Sequence, residues 1–440
     1  MQENAITPEQ SSYASSANAP VENRGDKHIW GIYIFLCLIS IVELYSASSR
    51  EVAKAGYGVY GTILRHGGQL LLGFFLLYYI QKIPYQRFYK WIIWFSLASA
   101  LMMAYALLFG ERINGATRSF SLILFSIQPA EFLKISSAML VALIMSRNQV
   151  KGGGVSDSGV RLSALIILFF CAMLAPEGLT NTLLLMCISM SMMIIGGVSM
   201  KKLATVLLVY VICFAGYVGF KILMDKQSEE KTEQVDAVAY GEDQAPESRI
   251  GTWQYRLENW WNSGPKYEEK LTSDNMQEQY GYMAQAHGGL FGVMPGNSRE
   301  TARLPLAFTD YIYSIIVEEL GFVGGVIVLI LYLWLLARAS AVASKCVRAF
   351  PALLVIGMAL TIVFQALFHI CIVTGVMPVS GQPLPLISKG GSSILVTSIA
   401  FGVMLSVSRF AVRNTAKRKD INLEKEALPE DLRADNPSQL

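Results

Sequence analysis

The strongest constraint on this chain is its succession of long apolar segments. Crossing the hydrocarbon core of a bilayer takes about 20 mainly apolar residues in a helix. Segments of that kind lie near residues 29–48, 62–80, 90–110, 128–147, 161–176, 179–198, 202–223, 312–337, 350–374 and 391–410. Unpaired peptide groups are costly in lipid, so each is expected to be helical. The sequence therefore predicts an all-α integral membrane protein with about ten transmembrane helices. Only 16% of its 440 residues are charged, against roughly a quarter in soluble domains. A net charge of +3 is too small to imply a nucleic-acid partner.

Orientation follows from Lys and Arg in the short loops. Lys82, Arg87 and Lys90, Arg147, Lys151 and Arg161, Lys201 and Lys202, and Arg338, Lys345 and Arg348 fall in one set of alternating loops. That set is richer in positive charge and is expected on the cytoplasmic side, with both termini. Residues 1–28 are polar, with no apolar stretch for a signal peptide, and read as a disordered cytoplasmic tail. Residues 29–410 form the membrane domain, and 411–440 a second cytoplasmic tail, disordered from 413 onward. Between the seventh and eighth spans, residues 224–311 make a large extracytoplasmic loop. Within it Ile250, Trp253, Leu257 and Trp260 recur at helical spacing, suiting a helix at the membrane interface or one packed on the protein. The Gly288–Gly296 stretch suits a chain that turns tightly and approaches a ligand closely.

The six cysteines fall mostly in apolar runs with no CxxC pair, and the four histidines have no metal-ligand spacing. No structural zinc is expected, and no metal ligands are assigned.

The polar clusters all fall on the outer face, where cytoplasmic ATP is out of reach. Asn114-Gly115-Ala116-Thr117-Arg118 comes first. Gln128-Pro129 opens the fourth span, with proline suited to a first helical turn. Glu131 and Lys134 follow one turn apart, as a cavity-facing pair or an ion pair that orients the helix. Arg299 begins a third cluster ending at Thr309-Asp310. Asp310 suits either a helix cap or a general base at a cavity mouth. Glu318 and Glu319 behind it suggest a polar interior face. Finally, Thr374–Ser393 carries three prolines in Pro378, Pro383 and Pro385, which exclude a regular helix. Its end, Ser388-Lys389-Gly390-Gly391-Ser392, can present backbone N–H groups to a pyrophosphate.

These segments together resemble the shape, elongation, division and sporulation family, the FtsW/RodA/SpoVE proteins. The anchors are Tyr45-Ser46-Ala47-Ser48, Asn114-Gly115-Ala116 with Arg118, Gln128 to Lys134, Gly288 to Gly325, and Thr374 to Ser393. The polar N-terminal tail and the Gly381–Ser388 wording point to the division branch. The resemblance implies a peptidoglycan glycosyltransferase that polymerises lipid II at the outer face of the bacterial cytoplasmic (inner) membrane. It places the essential aspartate at Asp310 and cavity residues at Glu131 and Lys134. It implies membrane lipid, a cognate class B penicillin-binding transpeptidase and other divisome membrane proteins as partners. No covalent cofactor is implied. Arg118, Lys134, Lys389 or a divalent cation (Mg or Mn) would offset the leaving pyrophosphate, and Arg299 joins the substrate-binding set.

The chain departs from the family pattern at several positions. Leu306 and Phe308 stand where the family has Glu and His, His369 replaces Asn, and Lys389 replaces Tyr. The Pro-Asp-x-Gly-Thr motif becomes Pro176-Glu177-Gly178-Leu179-Thr180-Asn181. Two other readings remain: a lipid II flippase, and a non-catalytic divisome scaffold.

Overall fold

The computed structural model describes residues 25–55, 59–113, 116–122, 125–150, 153–232, 256–258, 260–261, 271–272, 275–304, 307–411 and 418–437. Asn114, Gly115, Ile250, Trp253 and Leu306 lie outside the described residues. A helix occupies each apolar segment. They are α1 (Lys27–Ala55), α2 (Val59–Ile80), α3 (Phe88–Phe109), α4 (Pro129–Arg147), α5 (Asp157–Leu174), α6 (Leu179–Ile195) and α7 (Met200–Thr232). After α8 (Met276–Gly288) come α9 (Ile312–Ala343), α10 (Ala349–Val373), α11 (Gly391–Phe410) and α12 (Arg418–Ala427). Among the described residues, seven helices are long and apolar enough to cross a bilayer: α4, α5, α9, α10, α11, Met200–Phe220 within α7, and α3 with the turn before it.

One addition to the helical plan lies at residues 111–127. Short antiparallel strands β1 (Glu111–Ile113), β2 (Ala116–Leu122) and β3 (Phe125–Ile127) form a three-stranded sheet in the order β1-β2-β3. The β2–β3 hairpin runs directly into α4.

Burial separates a central group of helices from a rim. In α4 89% of the spanning window is buried, and in α10 and α11 83%, whereas α7 is 17% buried and α3 28%. The difference follows from side-chain size. The buried face of α4 carries Ala130, Ser136, Ser137, Ala138 and Ser146, small residues that allow close helix contact where lipid supplies no hydrophobic drive. Gly73 does the same between α2 and α11, because a Cβ there would lie 2.5 Å from the Ser398 hydroxyl.

α9 is broken at Gly321, whose φ of 75° lies in the left-handed region. The break frees backbone groups, and a neighbouring segment takes them up. Phe322 N–H donates to the Gly289 carbonyl and Val323 N–H to that of Leu290. Val293 and Met294 N–H donate in turn to the Glu318 and Glu319 carbonyls. A Cβ at Gly292 would lie 2.2 Å from the Glu319 carbonyl oxygen. At Gly288 and Gly292 the glycine-rich run therefore approaches the α9 backbone, while a Cβ at Gly289 or Gly296 would meet nothing within 4 Å.

The tails are corrected too. Residues 1–24 lie outside the described residues, but Asp26 caps α1. Its carboxylate accepts from His28 and Ile29 N–H at 2.9 and 3.2 Å and pairs with Arg338 at 2.5 Å. Burial alone would raise the Asp26 carboxyl, but Arg338 and the backbone donors outweigh it and hold the acid below its usual value.

At the other terminus the expected disorder is replaced, over 418–437, by a docked strap. Leu428 and Leu432 are buried. The Tyr85 hydroxyl donates to Glu424 at 2.5 Å. Arg147 pairs with Asp431 and Arg348 with Asp435, each at 2.6 Å. Asn436 donates to the Ala343 and Cys346 carbonyls at 2.9 and 2.8 Å. The strap thus touches three corners that the charge pattern assigns to one face. Its polar composition resembled an unfolded tail because its acids are matched by basic residues far away in sequence.

Candidate active site

At the opposite end of the bundle, residues 374–390 connect α10 to α11 without regular structure, as their prolines require. The segment is buried at Leu384, Leu386, Ile387 and Ser388. Buried backbone carbonyls need donors, and three helices supply them. Ser40 of α1 donates to Ile387 O at 3.2 Å, and Tyr332 of α9 to Pro385 O at 2.6 Å. From α10, Gln365 Nε2 donates to Pro383 O at 3.3 Å. His369 Nδ1 lies 2.6 Å from Gln382 O, and since a carbonyl only accepts, Nδ1 carries the proton. Leu386 has a φ of 65°, a strained value for a branched side chain held by this packing.

The segment backs directly onto the residues before α9. Lys389 N–H donates to Phe308 O at 2.8 Å, and the Ser388 hydroxyl donates to Thr309 O at 2.8 Å. These bonds hold Ser388 and Lys389 against the two residues before Asp310, and Gly390, Gly391 and Ser392 follow them in the chain. The helix begins at Ile312 with Tyr311 as its capping residue, so Asp310 is not the cap. Asp310 and Lys389 are both half-buried. Tyr311 is buried, and burial pushes its phenol far up, with the Glu278 and Asp310 carboxylates adding to the shift and Arg256 opposing it. The neutral Tyr311 phenol thus lies within the electrostatic reach of Asp310, Glu278 and Arg256. Arg256 also donates to Val379 O at 3.2 Å and Trp260 to Gly375 O at 3.1 Å. The described part of the 249–261 segment packs on the protein.

α11 begins at Gly391 after an extended Gly390, as expected of a backbone N–H cradle. Ser392 reaches across to the start of α4, where its hydroxyl accepts from Gln128 N–H at 3.2 Å. α4 starts with Pro129 at its first position and Glu131 in its first turn, where the helix dipole favours an acid. Arg118 lies on β2, which leads through β3 to the same helix. Arg299 is exposed, and its backbone N–H donates to Glu318 at 2.9 Å. Glu318 and Glu319 hold the 296–300 segment in place. Glu318 also accepts from Ser298, and Glu319 from Ser46 and from Gly296 N–H at 3.2 Å.

Lys134 is fully buried. Its ammonium donates to Glu131 at 2.8 Å, Gln365 at 3.2 Å and Asn181 at 3.4 Å. An ammonium has three protons, so its donors are all engaged within the protein. Asn181, Gln365 and Gln382 were missed in the sequence. The available signal was the polar pair Gln365 and His369, four residues apart in an otherwise apolar helix. Among the described residues no group of three His, Cys, Asp or Glu side chains converges as a metal-ligand set.

The fold and its polar end define a multi-pass helical membrane protein with a candidate site where α4, α9 and α11 begin. The chain belongs to the FtsW/RodA/SpoVE family of cell cycle proteins, whose profile matches residues 26–413. It is 27% identical over 390 residues to the probable peptidoglycan glycosyltransferase FtsW of Aliivibrio salmonicida, covering 87% of this chain and 88% of that protein. It is 28% identical over 392 residues to the stage V sporulation protein E of Bacillus subtilis, covering 86% and 96%. Among solved structures, a point mutant of the rod shape determining protein RodA from Thermus thermophilus aligns with a TM-score of 0.59 at 23% identity, over 87% of this chain and 97% of that one. A chain of a peptidoglycan synthase complex, described as coordinating polymerization and crosslinking, aligns with a TM-score of 0.63 at 24% identity, over 89% and 99%.

Proposed function

We propose that this protein polymerises lipid II into glycan strands at the outer face of the bacterial cytoplasmic membrane, with ten spanning helices, both termini inside and residues 224–311 outside. The observation that carries the reading is the attachment of the Ser388–Ser392 segment to Phe308 and Thr309, which puts a cationic, N–H-rich helix start beside Asp310. The names of the relatives support the activity.

The donor is a sugar joined to a lipid pyrophosphate, and the acceptor is a sugar 4-hydroxyl. Asp310 takes the hydroxyl proton as the new glycosidic bond forms, a contribution of about 10²–10⁴-fold for a positioned base. The α-linked donor gives a β-linked product in one inverting displacement, so a single base suffices. Developing charge on the pyrophosphate is met by Lys389, Arg118 and the α11 amides. A divalent cation (Mg or Mn), where bound, would add positive charge beside the same pyrophosphate. Lys134, with its protons engaged inside the protein, supports the site from below. The division-branch wording favours septal synthesis, with a class B penicillin-binding transpeptidase crosslinking the product.

The test is polymerisation of lipid II by the purified protein with its cognate transpeptidase. Wild type should yield long strands and Asp310→Ala none. Equal product from both would remove Asp310 as base. Lipid II translocation in proteoliposomes without any polymer would favour the flippase.

A further inference from the structure

We propose that Asn181 and Gln382 are positioning residues that tie the buried Lys134 ammonium to the segment carrying Ser388 and Lys389, an inference resting on the glycosyltransferase reading. The argument starts from saturation. Lys134 donates to Glu131, Gln365 and Asn181, leaving no proton for a substrate phosphate. A buried ion pair persists only when its remaining hydrogen-bonding groups are satisfied, so this arrangement has few alternatives. Asn181 Oδ1 accepts a second bond, from Gln382 Nε2 at 3.0 Å. Gln365 uses its amide in the same way, accepting from Lys134 while donating to Glu131 at 3.4 Å and to Pro383 O at 3.3 Å.

Two amides thus connect one ammonium to adjacent residues of the loop, Gln382 and Pro383. From there the chain is short and rigid. His369 holds the Gln382 carbonyl, Tyr332 holds that of Pro385, and Ser388 and Lys389 bond to the two residues before Asp310. The Lys134 network therefore sets the height of the loop against α4 and α6, and through the loop the distance between Lys389 and Asp310. Asn181 lies in the segment where this chain departs from the Pro-Asp-x-Gly-Thr pattern, and the altered segment supplies the acceptor that Gln382 needs.

The test uses the protein with its cognate transpeptidase and lipid II as substrate. Gln382→Met keeps the length and volume of the side chain but cannot donate to Asn181, and Asn181→Leu removes the shared acceptor. Each should lower kcat about tenfold, as expected for a small displacement of groups near the chemistry, with KM within about twofold of wild type. The double variant should be no slower than the worse single one, because both break the same link. Asn181→Asp keeps an acceptor for both donors and should retain most activity. A second measurement is independent of activity: amide hydrogen exchange at Leu384 to Lys389 should speed up about tenfold in Gln382→Met. Unchanged exchange there overturns the proposal whether or not the protein polymerises lipid II. Additive losses in the double variant, or wild-type kcat in Gln382→Met, overturn it as well. A wild-type protein that makes no polymer sinks the glycosyltransferase reading, while the exchange measurement still decides the link.

Discussion

The two irregular segments docked at opposite ends of the bundle are held by different physics. The 374–390 segment is pinned by side chains donating to backbone carbonyls, all neutral but Arg256, and its centre is buried. The strap, 418–437, combines buried anchors with ion pairs whose acids face solvent: the Asp431 and Asp435 side chains are 47% and 70% exposed. Buried bonds to carbonyls define one geometry and are insensitive to salt. An exposed pair such as Arg147–Asp431 contributes little and is screened, whereas Arg348 and Glu424 are buried where the strap docks. The end with the candidate chemistry is held by uncharged buried bonds, and the end with the strap depends in part on ion pairs.

The sharpest way to break this contrast is Lys134→Met. It leaves Glu131 buried without its cation and should destabilise the outer end by roughly 3–5 kcal/mol, seen as a large drop in thermal stability in detergent. Adding Glu131→Gln should recover much of that loss. Next in size is Leu432→Ala, which empties a fully buried site in the strap. It should cost about 2–5 kcal/mol locally and expose 418–437 to limited proteolysis, while hydrogen exchange at Leu384 to Lys389 stays as in wild type. A smaller effect is expected from Asp431→Asn, within about 1 kcal/mol. Proteolysis of the strap should quicken with salt in wild type and lose part of that dependence in the variant. The smallest is Asp26→Asn, which keeps a cap but removes the charge facing Arg338. The Asp26 acid is held below its unfolded value of about 3.9, so the pair's stabilisation is full above that value and lost as pH falls through the lowered one. Wild type and variant should therefore converge in stability in acid and separate by less than about 1 kcal/mol at neutral pH.

The helical segments were legible because hydropathy reports the solvent a segment faces: among the described residues a helix lies at each expected segment, and seven helices are long and apolar enough to cross a bilayer. Proline and glycine marked the 374–390 connection and the start of α4 for local reasons that hold in any fold. The strap was not legible. Leu428 and Leu432 are isolated apolar residues in a polar tail, and only the basic corners at Arg147 and Arg348 give the tail's acids a purpose. The glycine run before α9 was legible as close approach, but its partner was set by the break at Gly321, which no local pattern announces. At the candidate site, Glu131 and Lys134 stood out as charges in an apolar span. Asn181, Gln365 and Gln382 did not, because a neutral amide in a helix or loop acquires meaning only from its partner across the bundle.

The break in α9 has a mechanical consequence. Above Gly321 the short upper piece of the helix, which begins two residues after Asp310, is clamped to the 293–300 segment through Glu318, Glu319 and their carbonyls. Below it, the long lower piece carries Tyr332 and the support of the Pro385 carbonyl. The helix is thus a jointed lever rather than a rod. A displacement of the 293–300 segment would reach the aspartate end through the upper arm, while the lower arm holds the Pro385 carbonyl in place.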